Sequence, residues 1–138
     1  MSYRFLEHTA DVKFQADGKT IEEVFTNSAL ALKETICGKI TVLGQETREI
    51  KVEGDNIEGL LYNFLEEFLF LLDSEGFLVS EIKEIKIDKE KFKLTAVVSG
   101  DKADHYKFTN DVKAVTYNEM YVKEDKDKRW FSQVVLDV

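Results

Sequence analysis

The spacing of apolar residues changes period several times along the chain, and each change marks an element. Val12, Phe14 and Ala16 alternate with Lys13, Gln15 and Asp17, the two-residue period of a half-buried strand. Asp17-Gly18-Lys19 supplies a turn, and Thr20 with Glu23 fits a capping box, so the first helix is predicted to start there. Ile21, Val24, Phe25, Ala29, Leu32 and Ile36 recur at helical spacing as far as Gly38. A strand is predicted over about Arg48 to Val52, and Asp55-Asn56-Ile57-Glu58 repeats the start signal with the aspartate as cap. The second helix carries the clearest pattern. Ile57, Leu60, Leu61, Phe64, Leu65, Phe68, Leu71 and Leu72 form one wide apolar stripe ending before Gly76, as a main core helix requires. The rest reads as strands: Ile82 to Ile87, then Phe92 to Val98, then roughly Val112 to Val122, and last Trp130 to Val138. Lys89-Glu90-Lys91 and Asp125-Lys126-Asp127-Lys128 read as solvated hairpin turns.

Two helices among five or six mostly hairpin-linked strands predict an α+β fold, both helices covering one face of a mainly antiparallel β-sheet. Strand-helix-strand occurs twice, which raises an internal duplication, carried by the order of elements and not by matching residues. The chain has no proline and no Gly/Ser-rich linker, so residues 1–138 are expected to form a single domain.

Composition narrows the function. With 19 Lys plus Arg against 27 Asp plus Glu the net charge is −8, which disfavours a surface that tracks nucleic-acid phosphates. It leaves room for a protein that meets RNA chemistry through a partner or binds a divalent cation. No apolar run is long enough to span a membrane and the start has no signal-peptide pattern, so a cytoplasmic protein is expected. The one cysteine, Cys37, cannot form an internal disulfide or hold zinc alone, and suits a small apolar helix position.

Three polar stretches carry candidate chemistry. The first is Glu7-His8-Thr9-Ala10-Asp11-Val12-Lys13-Phe14, in which Asp11 starts the strand on the face opposite Val12; the same residues also suit a polar turn with a half-buried His8. In the second, Asp137 sits between Leu136 and Val138 in a run that reads as buried, where a carboxylate costs several kcal/mol unless compensated. The alternative is that the strand emerges into solvent there. Were their strands neighbours, Asp11 and Asp137 would offer hard oxygens to Ca²⁺, Mg²⁺ or Mn²⁺. The third is Asp111-Val112-Lys113-Ala114-Val115-Thr116-Tyr117, which places Lys113 at a strand start, either meeting phosphate or carboxylate or paired with Asp111 in solvent. Glu58, Glu66, Glu67 and Asp73 read as a solvated helix face, and His105 as surface. No P-loop, GxGxxG, nucleophile elbow, HExxH or EF-hand loop is present.

Tyr3 to Val12, Val112 to Tyr117 and Val134 to Val138 together resemble the archease family, in order and across the whole chain. The resemblance implies a protein cofactor of an RtcB-type RNA ligase in tRNA splicing and RNA repair, an accessory activator and not itself an enzyme. Archeases promote GTP-dependent guanylylation of the ligase and its multiple turnover. It also implies a divalent cation site, calcium foremost with Mn²⁺ or Mg²⁺ as alternatives, held by Asp11, Asp137 and an oxygen of Val138. Lys113 matches the family's functionally required lysine, and His8 is a candidate supporting residue. Where the family often has a histidine after Thr-Tyr, this chain has Asn118. Two further readings stay open: a chaperone-like modulator of RNA-processing enzymes, and a metal-dependent phosphoesterase, for which no nucleophile or base is evident.

Overall fold

The structure, a computed structural model, describes residues 3–7 and 11–138. In chain order the elements are β1 (Tyr3–Leu6), β2 (Asp11–Gly18), α1 (Ile21–Cys37), β3 (Glu46–Glu53), α2 (Ile57–Glu75), β4 (Phe77–Asp88), β5 (Lys93–Lys102), a 3-10 turn (Ala103–His105), β6 (Ala114–Glu124) and β7 (Trp130–Asp137). Among the strands and α-helices only β1 escaped the sequence reading, being four residues long with a burial pattern that does not alternate. The cap of α1 is as expected: Thr20 Oγ1 accepts the Glu23 amide at 3.1 Å. For α2 the cap falls one residue later than the sequence suggested. Asn56, not Asp55, is the cap, its Oδ1 accepting the Gly59 amide at 2.7 Å.

The strands divide into two antiparallel sheets where the sequence suggested one, with orders β1-β2-β7-β6 and β3-β5-β4. The division follows from a recurring unit. In each sheet the strand before a helix pairs with the second strand of a later hairpin: β2 with β7 of the β6-β7 hairpin, β3 with β5 of the β4-β5 hairpin. The second unit is thus nested inside the first, between α1 and β6. Matching contacts hold both units. A Cβ on Gly18 would lie 2.7 Å from Val24 N, and one on Gly54 2.6 Å from Leu60 N, so each strand ends against the first turn of its helix. Asn27 then donates to Asp17 O and Asn63 to Glu53 O, both at 2.8 Å. These contacts establish a recurrence of geometry; they do not confirm a duplication of sequence.

Both helices touch both sheets. Helix α1 packs on β2 and β7 and reaches β4, while α2 packs on β6 and reaches β3, β4 and β5. Between them Phe14, Phe25, Phe64, Leu65, Leu94 and Leu136 are shut away from solvent, the burial that drives collapse. Cys37 is buried as a small apolar residue. No helix among the described residues is long and apolar enough to cross a membrane.

The outer face of the larger sheet is partly covered too. The register of β6 against β7 slips between Thr116 and Tyr121, inserting a wide bulge. Glu119 in that bulge has φ 55°, its carbonyl accepts from Gln133 Nε2 at 2.8 Å, and its carboxylate reaches Lys13 of β2 at 3.0 Å. The bulge therefore spans β7, and Val135 on that face is only 1% exposed. Coverage on both faces explains why β7 reads as a continuous apolar run instead of alternating.

Candidate functional site

The antiparallel register of β2 and β7 sets Asp11 directly opposite Asp137. Val12 faces Leu136 in the next rung and points to the core, so both aspartates point outward together. The two strands are therefore the neighbours that a shared cation site needs. Of the two readings of Asp137, the one in which the strand emerges into solvent holds: the side chain is exposed, and burial ends at Leu136. Beyond the bulge's cover the strand emerges into water, and the carboxylate needs no compensating partner for its hydration. Asp11 is half-buried.

Lys113 joins the same place through its backbone. Its amide donates to Asp137 O at 2.8 Å, and Ala114 is the residue across from Asp137 on β6. The lysine itself is exposed. The loop before it is tied to the end of α1: Thr109 and Asn110 amides both reach Ile36 O, and Asn110 Nδ2 donates to Thr35 O at 2.8 Å. These bonds cap otherwise orphaned helix carbonyls and fix the loop that delivers Lys113. His8, the remaining candidate, lies outside the described residues.

A cleft of about 780 Å³ opens beside Asp11, bordered by Phe5, Glu7, Val12, Glu34 and Asn110 among others. Its wall is pinned by Tyr3, whose hydroxyl donates to Glu34 at 2.7 Å. Burial, reinforced by that carboxylate, pushes the Tyr3 hydroxyl up to about 12. The bond therefore stays intact across the neutral range.

Two contacts were not visible in the sequence. Glu66 and Glu58 read as solvated helix charges, yet Glu66 accepts the Val115 amide at 2.8 Å and Glu58 accepts the Val122 amide at 3.4 Å. They satisfy the free edge of β6, and only the pairing of α2 with β6 reveals it. Lys13 with Glu119 likewise needed the bulge to be seen. His105 is on the surface as expected, though it leans toward the buried Asp101 at 3.5 Å.

The model of the Archease protein family (MTH1598/TM1083) matches residues 3–138. The chain belongs to the archease family. Protein archease from Pyrococcus abyssi is 41% identical over 136 residues, covering 96% of this chain and 95% of that one. Protein archease from Methanosarcina mazei is 37% identical over 140 residues, covering 99% and 95%. The solution structure of Methanobacterium thermoautotrophicum protein 1598 superposes with a TM-score of 0.83 at 34% identity, covering 99% of each chain. The archease fold is thus two helices on antiparallel sheets, and the expected α+β class stands.

On this archease framework the donor set at the rung can be tested for fit to a cation. Among the described residues no three His, Cys, Asp or Glu side chains gather as a metal-binding group. The side chains at the rung are two carboxylates, Asp11 and Asp137. The resemblance adds an oxygen of Val138, the residue after Asp137, whose own carbonyl oxygen accepts from the Lys113 amide. Such a set is all hard oxygen, which suits Ca²⁺, Mg²⁺ or Mn²⁺ better than zinc, with water completing the shell.

Proposed function

We propose that this protein is an accessory activator of an RtcB-type RNA ligase in tRNA splicing and RNA repair, without a catalytic cycle of its own. The observation that carries the reading is the rung itself: Asp11 opposite Asp137, with the Lys113 amide bonded to Asp137 O. Residues from three separated parts of the chain meet at one exposed end of a rigid sheet, where another protein can reach them. Asp11, Asp137 and an oxygen of Val138 would hold a divalent cation, Ca²⁺ foremost, which when bound would supply local positive charge and order the two strand ends. Lys113 adds a flexible cation beside them, suited to a phosphate or carboxylate in the ligase active site. The acidic net charge of −8 agrees with docking onto a protein that does the RNA binding itself.

The test is RNA joining by a limiting amount of RtcB-type ligase from the same source, with GTP and Mn²⁺, with and without this protein. Faster guanylylation and many turnovers per ligase, lost on Asp11→Ala and Asp137→Ala in folded protein, are expected. No effect of the wild-type chain on either step would refute the reading.

A further inference from the structure

Tyr117 is the most exposed large aromatic or apolar side chain among the described residues, at 57%, yet it is held in place. Its ring stacks on Tyr62 of α2 with centroids 4.2 Å apart and 8° between the planes. Two residues on from the core-facing Val115, Tyr117 keeps the face of β6 that α2 covers, and the register slip that follows Thr116 leaves it without a rung on β7. One face of the ring is backed by Tyr62 and the other is open. Burial, then the Glu66 carboxylate, raises the Tyr62 hydroxyl above its ordinary range, so the backing ring stays neutral.

Beside Tyr117, on the side of its hydroxyl, lies a hollow of about 530 Å³ at the start of α2, lined by Glu53, Asp55, Asn56, Gly59 and Asn63 with Tyr117. Gly59 keeps it open: a Cβ there would lie 3.8 Å from Tyr117 Oη and 3.2 Å from Asn56 Oδ1. Asn56 Oδ1 accepts from Gly59 N and Asn63 Nδ2 donates to Glu53 O, which holds both amides against the hollow's wall. What remains is a rigid aromatic face flanked by two exposed carboxylates, and no lysine or arginine lines the hollow. The start of α2 contributes about half a positive charge, which the two carboxylates outweigh. A phosphate or nucleotide is therefore repelled. A guanidinium fits both features at once, lying flat on the ring while its in-plane N–H groups donate to carboxylates.

We propose that Tyr117, Glu53 and Asp55 form a docking point for an arginine presented on a loop of a protein partner. This identification of the partner rests on the ligase reading above, since Tyr117 lies only a few residues along the chain from Lys113. The contact anchors the partner to the α2 side of β6 and lets Lys113 and the aspartate rung approach from the strand's beginning. Exposed aromatic and arginine pairs of this type are common energetic centres of interfaces.

The experiment measures the Kd of the full chain for the RtcB-type ligase by biolayer interferometry, for wild type, Tyr117→Ala, Tyr117→Phe and the Glu53→Gln/Asp55→Asn double variant. Tyr117→Ala is expected to weaken binding roughly tenfold or more, Tyr117→Phe to retain it, and the double variant to lose both affinity and salt dependence. Each variant is checked for an unchanged circular dichroism spectrum and Tm. Wild-type affinity in Tyr117→Ala and in the double variant would overturn the docking point while leaving ligase activation standing. Should the wild-type chain neither bind nor activate the ligase, the ligase reading fails separately. Titration of the isolated, isotope-labelled chain with N-acetyl-arginine amide and with AMP then decides. Amide shifts around Gly54, Gly59 and Tyr117 with the arginine probe alone support the docking point; shifts with AMP alone, with both probes equally, or with neither overturn it.

Discussion

Glu66 of α2 accepts the Val115 amide proton at 2.8 Å, so a helix side chain takes the place that a further strand would occupy along β6. Val115 is 2% exposed, and water cannot replace the lost acceptor easily. Glu66→Ala is expected to cost about 1–3 kcal/mol, read as a lower urea midpoint, while Glu66→Gln keeps an acceptor and most of the stability. Equal loss in both variants would mean that charge, not the hydrogen bond, is what the edge requires.

The buried hydroxyls of Ser28 and Ser132 lie 2.8 Å apart, and Ser28 Oγ also donates to Val24 O at 2.7 Å. A hydroxyl has one proton, so Ser132 must be the donor between the two. Ser28→Ala then strands a buried O–H, whereas Ser132→Ala removes a donor and leaves Ser28 bonded. We expect the first to cost about 1–3 kcal/mol and the second nearer 1 kcal/mol. The reverse order in denaturation would show that the proton lies the other way.

Gly54 touches backbone, with Leu60 N at 2.6 Å and Gly59 C at 2.8 Å from a hypothetical Cβ, so Gly54→Ala must push the first turn of α2 off β3. A loss of roughly 2–4 kcal/mol is expected. At Gly76 a Cβ meets nothing within 4 Å, but φ is +60°, and alanine there should cost only about 1–2 kcal/mol. Thermal unfolding of the two variants separates crowding from backbone strain.

The Tyr106 hydroxyl, first, and then the Lys102 amide hold the Asp101 carboxyl below the ordinary aspartate range, and Tyr106 in turn accepts the Leu43 amide. A depressed carboxylate stabilises the fold above its unfolded value of about 3.9 and loses that contribution as pH falls through the lower folded value. Tyr106→Phe is accordingly expected to be most destabilised relative to wild type above about pH 4, with the gap narrowing in more acid solution. A gap that widens as pH falls would contradict this origin of the Asp101 shift.

Cation binding and activation should come apart at Lys113. Calcium is expected to raise the Tm of wild type and Lys113→Ala alike, and to leave that of Asp11→Asn and Asp137→Asn unmoved. Lys113→Ala should still fail to stimulate the ligase. A calcium response that survives loss of both aspartates would remove them from the cation site.

Much of this arrangement could be read before the fold was in view. The helices were legible because their apolar stripes are long and their caps local, as Thr20 with Glu23 shows. What stayed hidden was set by neighbours distant in sequence. The short edge strand β1 has meaning only beside β2, and the split into two sheets depends on which hairpin each pre-helix strand selects. The candidate site divides along the same line. Asp11, Asp137 and Lys113 were each found as residue types, but the apolar run around Asp137 left its burial undecided, since it is the β6 bulge that buries Val135 and stops short of the terminal rung. Glu66 and Tyr117 gave no signal of their own, because a helix glutamate and a strand tyrosine look alike whether they face water or a partner element.

The nesting of one unit inside the other also orders events during synthesis. The inner unit, β3 to β5, has all its sheet partners once β5 has left the ribosome, whereas β2 must wait for β7, which follows every other element. Closing that rung joins parts separated by nearly the whole chain, the costliest loop in the molecule to close. A chain made only as far as β5 displays no paired aspartates. The rung therefore forms only once β7 has been made and has closed onto β2.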